Sequence, residues 1–206
     1  MFEKTLVKGA KNILAVLGTS GILNEAYLAG GTAAALQLGH RISVDFDFFS
    51  SQQFEPRLFV EQIRKFGEFK EIQADKGTVL GTLEGIKFSL FVYPYPLLQA
   101  PQKYLLVDIA SIEDIAAMKI EAIASRGVKR DFIDLYYICK SGYRISKLLD
   151  FYDKKYEKLE SKFVHIQKSL IYFDDAEADP MPKMLIKINW EEVKSYFRGE
   201  IKKIMR

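Results

Sequence analysis

The sequence predicts an α/β (α+β) fold: a small mixed sheet flanked by helices, followed by a helical C-terminal part. Three observations point there. A glycine pair, Gly30-Gly31, separates a short apolar run, Tyr27-Leu28-Ala29, from an alanine-rich segment of helical character. Stretches rich in β-branched and aromatic residues lie at 42–49 and again between 69 and 93. From Ser111 onward the apolar spacing is helical almost throughout. Residues 1–108 are thus expected to form the sheet-bearing core and residues 109–206 the helical part.

Each element has a local reason. Phe2, Leu6, Ala10, Ile13, Leu14 and Leu17 fall on one helical face, and Gly18 to Gly21 breaks the pattern. Tyr27-Leu28-Ala29 suits a buried strand. A helix then starts at Thr32 and ends at His40-Arg41, and the chain returns as a strand over Ile42 to Phe49. Pro56 suits a helix start, and Leu58, Val60, Ile63 and Phe66 carry that helix to Gly67. Strands are expected at Phe69–Ala74, Gly77–Glu84 and Ile86–Tyr93; Pro94 and Pro96 stop the last, because proline cannot donate to a ladder. Ser111 with Asp114 forms a capping pattern. Lys119 and Arg126 share a face of the helix that follows, and another helix starts at Lys129. Helices are expected over Ile145–Tyr156, Phe163–Tyr172 and Trp190–Met205, with an acidic loop from Asp174 to Pro182.

Composition narrows the function classes. At 206 residues, 49% hydrophobic and 28% charged, the chain reads as an ordinary globular protein. No apolar run approaches the roughly 20 residues that span a bilayer. The N-terminus reads as an amphipathic helix rather than a signal peptide. The single cysteine, Cys139, excludes an internal disulfide, suits a reducing cytoplasm, and sits in an apolar helical context where it should be inert. A net charge of only +3 leaves any nucleic-acid role to local patches. The last helix offers one, with Lys194, Arg198, Lys202, Lys203 and Arg206 around Tyr196 and Phe197; a solvated helix face is the plainer alternative. His165 fits a helix-surface or core role. No zinc pattern, P-loop or Ser-His-Asp arrangement is present.

The chemistry concentrates in residues 27–49. In a strand, side chains i and i+2 share a face, so Asp45 and Asp47 project together. Two adjacent carboxylates repel unless a cation or proton lies between them, and Mg²⁺ is the cation that takes oxygen ligands while leaving positions for phosphate. Gly30 and Gly31 let backbone approach a ligand, and the helix beginning at Thr32 aims free N–H groups at the same place. Lys119 and Arg126 are candidates to bind triphosphate oxygens, with Arg130 beside them; Arg130 is also spaced to pair with Asp134. Asp131 and Asp134 share a face and would position those cations or act as base.

These residues carry a resemblance. The pattern GGT…HR-x-S-x-DFDFF resembles the nucleotidyltransferase signature of the polymerase-β-like superfamily, and in its longer form the AbiEii/AbiGii toxin family. A second block, MK-x6-R-x3-RDF-x-DLY, resembles that family's second motif. The resemblance implies a polymerase-β-like nucleotidyltransferase core. It also implies Mg²⁺-dependent transfer of a nucleoside monophosphate from an NTP to an acceptor, RNA or tRNA, with Gly30, Gly31 and Thr32 at the β/γ-phosphates. It further implies a toxin of a toxin–antitoxin or abortive-infection system, with an antitoxin partner. The alternative is a catalytically inactive nucleotide- or partner-binding module of the same fold. One departure bears on activity. The superfamily places a third carboxylate on a later strand, yet Lys87 to Phe91 contains no acid. Ser89 or Lys87 would take that slot; Glu84, Asp75 and Asp108 are the nearest alternatives. Asp131 or Asp134 is therefore expected to supply the third acid, in one cleft with Asp45 and Asp47 and with Lys119 on its wall.

Overall fold

A computed structural model describes residues 1–157 and 159–204. In chain order the elements are α1 (Ala10–Ser20), β1 (Tyr27–Leu28), α2 (Gly30–Leu38), β2 (Asp45–Ser50), α3 (Pro56–Ile63), β3 (Phe69–Asp75), β4 (Thr78–Leu83), β5 (Ile86–Val92), β6 (Gln102–Tyr104), β7 (Val107–Ile109), α4 (Ile112–Arg126), α5 (Lys129–Lys140), α6 (Ile145–Tyr156), α7 (Leu159–Ser169), α8 (Asp174–Glu177) and α9 (Trp190–Ile204). Met205 and Arg206, expected at the end of the last helix, lie outside the described residues.

The fold is α/β with one mixed sheet, ordered β3-β4-β5-β2-β1-β7-β6. The three expected strands β3, β4 and β5 form an antiparallel meander. Its last member runs parallel to β2, with Asp45 opposite Lys87 and Asp47 opposite Ser89. β1 pairs antiparallel with β2 and parallel with β7. Strands β6 and β7 are not expected from the sequence, being three residues each and joined through Leu105-Leu106 rather than a recognisable turn pair. β2 starts at Asp45 rather than Ile42; before it, Arg41 and Ser43 make only isolated bridges, to Met184 and Leu6. The N-terminal helix is likewise shorter than expected, because residues 6–9 leave helical conformation ahead of α1.

One buried cluster runs from Ala10 to Ile201. Phe46, Phe48, Phe88 and Leu90 are buried along one face of the sheet, where Phe59 of α3 stacks on Phe88 at 6.0 Å. The opposite face carries Asp45, Asp47 and Ser89, half-buried. Helix α4 starts where the pattern predicts: the Asp114 N–H donates to Ser111 Oγ at 3.0 Å, and the Ser111 hydroxyl donates to Asp114 Oδ2 at 2.7 Å. In α9, Phe197 is fully buried against Phe132, so this aromatic of the expected basic patch faces the core. Lys194 is paired with Glu177 and Glu191, each at 2.6 Å, and Lys203 with Glu200. His165 lies on a helix surface, bonded to Ala124 O at 3.0 Å. Burial pushes the Cys139 thiol up to about 12, which keeps it protonated and inert at neutral pH. Among the described residues, no helix is long and apolar enough to cross a membrane.

A buried ion pair joins the sheet's exit to the helical part. Lys155 of α6 donates to Asp114 Oδ1 at 2.7 Å and to Pro96 O at 2.8 Å, while Asp114 also accepts the Leu98 N–H at 3.0 Å. Both side chains are shut off from solvent. Removing one partner leaves an uncompensated buried charge, so Lys155→Met is expected to lower the unfolding free energy by about 3–5 kcal/mol. Urea denaturation measures this, and Lys155→Met with Asp114→Asn should recover part of the loss. A single variant as stable as the parent would exclude the pair as a structural joint.

Candidate active site

Helix α2 and strand β2 meet so closely that the glycine pair is a steric requirement of their own side chains. Gly30 has φ +63°, and a Cβ there would stand 2.7 Å from Asp47 Oδ2. A Cβ on Gly31 would collide with the Arg41 guanidinium and lie 3.3 Å from Ser43 Oγ. Thr32 differs from expectation. It is buried and its hydroxyl donates to Asp45 O, tying α2 to the start of β2, so this hydroxyl does not face the cleft where phosphate was expected.

Asp45 and Asp47 share a face as the strand period requires. Asp45 Oδ1 is buried without a hydrogen-bond partner, and its Oδ2 lies 3.6 Å from Arg130 Nη1. Asp47 Oδ1 accepts from Ser89 Oγ at 2.6 Å. Ser89 therefore occupies the polar slot beside Asp47, where a third carboxylate was sought. The alternatives do not line the cleft: Glu84 accepts from Glu68 N, Asp75 from Gln73, and Asp108 pairs with Lys103. Among the described residues, no group of three or more His, Cys, Asp or Glu is placed to hold a metal. Asp45 and Asp47 are the pair whose oxygens suit a hard divalent cation, and the orphaned Oδ1 fits that use.

Asp131 and Asp134 lie below the cleft, not in it. Both are fully buried. Asp134 takes a bidentate contact from Arg41, Nε to Oδ1 at 2.6 Å and Nη2 to Oδ2 at 2.8 Å, and a 2.8 Å hydrogen bond from His40 Nε2. Lys119 Nζ reaches Asp131 Oδ1 at 2.7 Å and Asp134 Oδ2 at 2.6 Å. Arg126 closes the set on Asp131 Oδ2 at 2.9 Å. The third-acid role expected of Asp131 or Asp134 does not fit this placement, since each carboxylate is buried, engaged by cations and not among the residues that line the cleft. The expected Arg130–Asp134 pair is also replaced: Arg130 reaches Asp45, while Asp134 is taken by Arg41, Lys119 and His40.

The cleft above this network measures about 670 Å³. Gly30, Gly31, Asp45, Asp47, Lys119, Arg126 and Arg130 all line it, so these expected site residues are brought together. Lys119 is nearly closed off, whereas the Arg126 and Arg130 side chains are 53% and 47% exposed. Two contributions were missed. Arg41 lines the cleft beside Gly31; it stands in the HR-x-S-x-DFDFF block, where no site role was expected of it. Residues 179–183 also form a wall, of which 179–182 were expected to be loop. They are held there by the Ile42 N–H donating to Lys183 O at 2.8 Å, a long-range pairing that has no local signature.

The buried charges set the response to acid. Burial alone would raise the Asp134 carboxyl, but Arg41 and Lys119, with hydrogen bonds from Arg41 and His40, hold it well below the usual carboxylate range. Folded Asp134 thus binds its proton less readily than unfolded Asp134. Its stabilisation is complete above the ordinary carboxylate pKa of about 4 and is lost as pH falls below that. Thermal unfolding should be flat through neutral pH and drop steeply on acidification. Lys119→Ala, which strips both buried carboxylates of one cation, should cost about 3–5 kcal/mol at pH 7. An unfolding free energy unchanged in that variant would contradict the network.

Comparison with known proteins bears on this geometry. A profile of the family described as nucleotidyl transferase AbiEii toxin, type IV TA system, matches residues 12–203. Protein aq_aa25 of Aquifex aeolicus (strain VF5) is 40% identical over 207 residues, spanning 98% of this chain and 98% of that one. The nucleotidyltransferase toxin MenT4 of Mycobacterium tuberculosis H37Rv superposes with a TM-score of 0.60 at 14% identity, covering 93% of this chain and 81% of its own. JHP933 of Helicobacter pylori gives a TM-score of 0.55 at 15% identity, over 98% and 90%. At such identities the two structures show a shared fold. The profile spans both the GGT…DFDFF block and the RDF-x-DLY block, and on that match the chain belongs to the AbiEii nucleotidyltransferase toxin family of type IV toxin–antitoxin systems.

Proposed function

We propose that this chain moves a nucleoside monophosphate group from an NTP to an RNA acceptor, using Mg²⁺ held by Asp45 and Asp47. The observation that carries the reading is the pairing of two carboxylates, one with an orphaned oxygen, against exposed arginines across a cleft of nucleotide size. When bound, the cation would neutralise charge on the phosphoryl oxygens being transferred. Arg126 and Arg130 meet the outer phosphates and counter the charge that grows on departing pyrophosphate. The backbone at Gly30 and Gly31 approaches the same phosphates. Asp131 and Asp134 act by positioning Lys119, Arg41 and Arg126. The acceptor enters over the face that carries Ser89, and an antitoxin is the protein partner that the family implies.

A second reading, a nucleotide-binding module without transfer, is favoured by one observation: Ser89 stands in register with Asp47 where a carboxylate would complete a triad. Incubation with α-labelled NTPs, Mg²⁺ and total RNA separates the two. Label in RNA, lost on chelation, supports transfer. Binding of Mg·NTP by calorimetry without labelled product supports the module.

Two substitutions extend the test. Asp45→Asn and Asp47→Asn should each abolish metal-dependent NTP binding, while metal-free thermal stability holds or rises because one of two adjacent charges is gone. Unchanged affinity in both variants would refute the metal assignment. Arg130→Ala removes an exposed contact, so NTP affinity should fall roughly tenfold or more with little change in melting temperature. An equal loss of nucleoside affinity would instead place Arg130 outside the phosphate site.

A further inference from the structure

Arg41 is only 4% exposed, yet it lines the cleft beside Gly31. A guanidinium offers five N–H donors. Here Nε donates to Asp134 Oδ1 at 2.6 Å, and one N–H of Nη2 to Asp134 Oδ2 at 2.8 Å. Nη1 donates to Ile42 O at 3.1 Å and makes a long, 3.5 Å contact with Ser43 Oγ. Nη2 carries a second N–H, and among the described residues nothing accepts it. Nη2 is also the atom that a Cβ on Gly31 would strike first.

Ser43 converges on the same place. It is 6% exposed and lines the cleft, and its Oγ lies 3.3 Å from the position of that Cβ. The Ser43 N–H donates to Thr5 O at 2.9 Å, which holds its backbone still. Its hydroxyl hydrogen has no acceptor among the described residues. Gly31 lies in the first turn of α2, where N–H groups have no partner inside the helix; Ala33 is the first to reach back, to Ala29 O at 3.3 Å. Buried donors are costly to leave unmatched, so this corner is built for an acceptor. The acids of the cleft bear on which acceptor. Asp179 already takes the Lys129 N–H at 2.9 Å. Asp45 and Asp47 would repel an anion beside Gly31 unless a cation stood with them.

Resting on the nucleotide reading above, we infer that Arg41 and Ser43 form a fixed phosphoryl subsite beside Gly31, separate from the exposed Arg126 and Arg130. The second N–H of Arg41 Nη2 and the Ser43 hydroxyl donate to oxygens of one phosphoryl group, and a cation on Asp45 and Asp47 offsets the repulsion. Asp134 orients the guanidinium before any ligand arrives, so less side-chain freedom is lost here than when an exposed arginine closes on a phosphate.

Titration calorimetry on the full chain with Mg²⁺ tests this, using ATP, inorganic triphosphate and adenosine. Ser43→Ala should weaken ATP and triphosphate alike by about tenfold, with adenosine affinity and the ligand-free melting temperature unchanged. Arg41→Lys keeps the charge, but an ammonium cannot hold both Asp134 oxygens and a ligand in one plane, so triphosphate affinity should fall by about ten- to a hundredfold. If that variant does not fold, Ser43→Ala decides. ATP and triphosphate bound by Ser43→Ala as tightly as by the parent would overturn the inference and leave the phosphate role of Arg126 and Arg130 standing. An equal loss of adenosine affinity would overturn it as well, because the substitution would then act on the whole cleft. Failure of the parent to bind ATP or triphosphate would overturn the nucleotide reading and this inference together.

Discussion

Asp134 has no contact with water, and the rest of the site is arranged by that fact. A buried carboxylate is tolerated only with partners in good geometry. Its partners come from separate places: His40 and Arg41 from the turn between α2 and β2, and Lys119 from α4. Asp131, one turn away on α5, shares Lys119 and adds Arg126. Helix α5 can therefore dock in only one register, and that register fixes Arg41 under Gly31 and Lys119 on the cleft wall. The glycine at 31 follows from the same constraint, because the guanidinium leaves no room for a Cβ.

Above this neutralised layer the charges are left open. Asp45 has an unpartnered oxygen, and its contact with Arg130 is long, at 3.6 Å. Arg126 and Arg130 reach solvent. A buried base of paired charges beneath exposed groups of both signs is the arrangement that preorganised electrostatic sites use, since the supporting groups need not move when a ligand arrives. The burial that made Asp131 and Asp134 poor candidates for proton transfer is what makes them good supports.

Much of this was legible in the sequence where the information is local. The Gly30-Gly31 pair, the alternation of Asp45 and Asp47 and the cap at Ser111 each declare themselves within a few residues, and the family resemblance rests on such blocks. Asp131, Asp134, Lys119 and Arg126 were legible as a group, because helical spacing puts them together. Which side of α5 turns inward was not, since that depends on Arg41, an arginine that looks like any solvated helix end until Asp134 is brought to it. Strands β6 and β7 were hidden for a similar reason: three residues carry no period, and their place is set by β1. The wall at 179–183 has two prolines and no periodicity, and its position comes only from backbone pairing with Ile42 and His40.

That wall has a consequence for the timing of synthesis. Ile42 and Asp45 leave the ribosome well over a hundred residues before Lys183. Contacts between segments so distant in sequence form late, after the loop-closure entropy of the intervening chain is overcome. A nascent chain that already displays Asp45, Asp47 and both arginines still lacks one side of its cleft. The cleft is therefore enclosed only after Lys183 has been made, and a fragment released by premature termination ahead of it would carry the acidic strand without the enclosure around it.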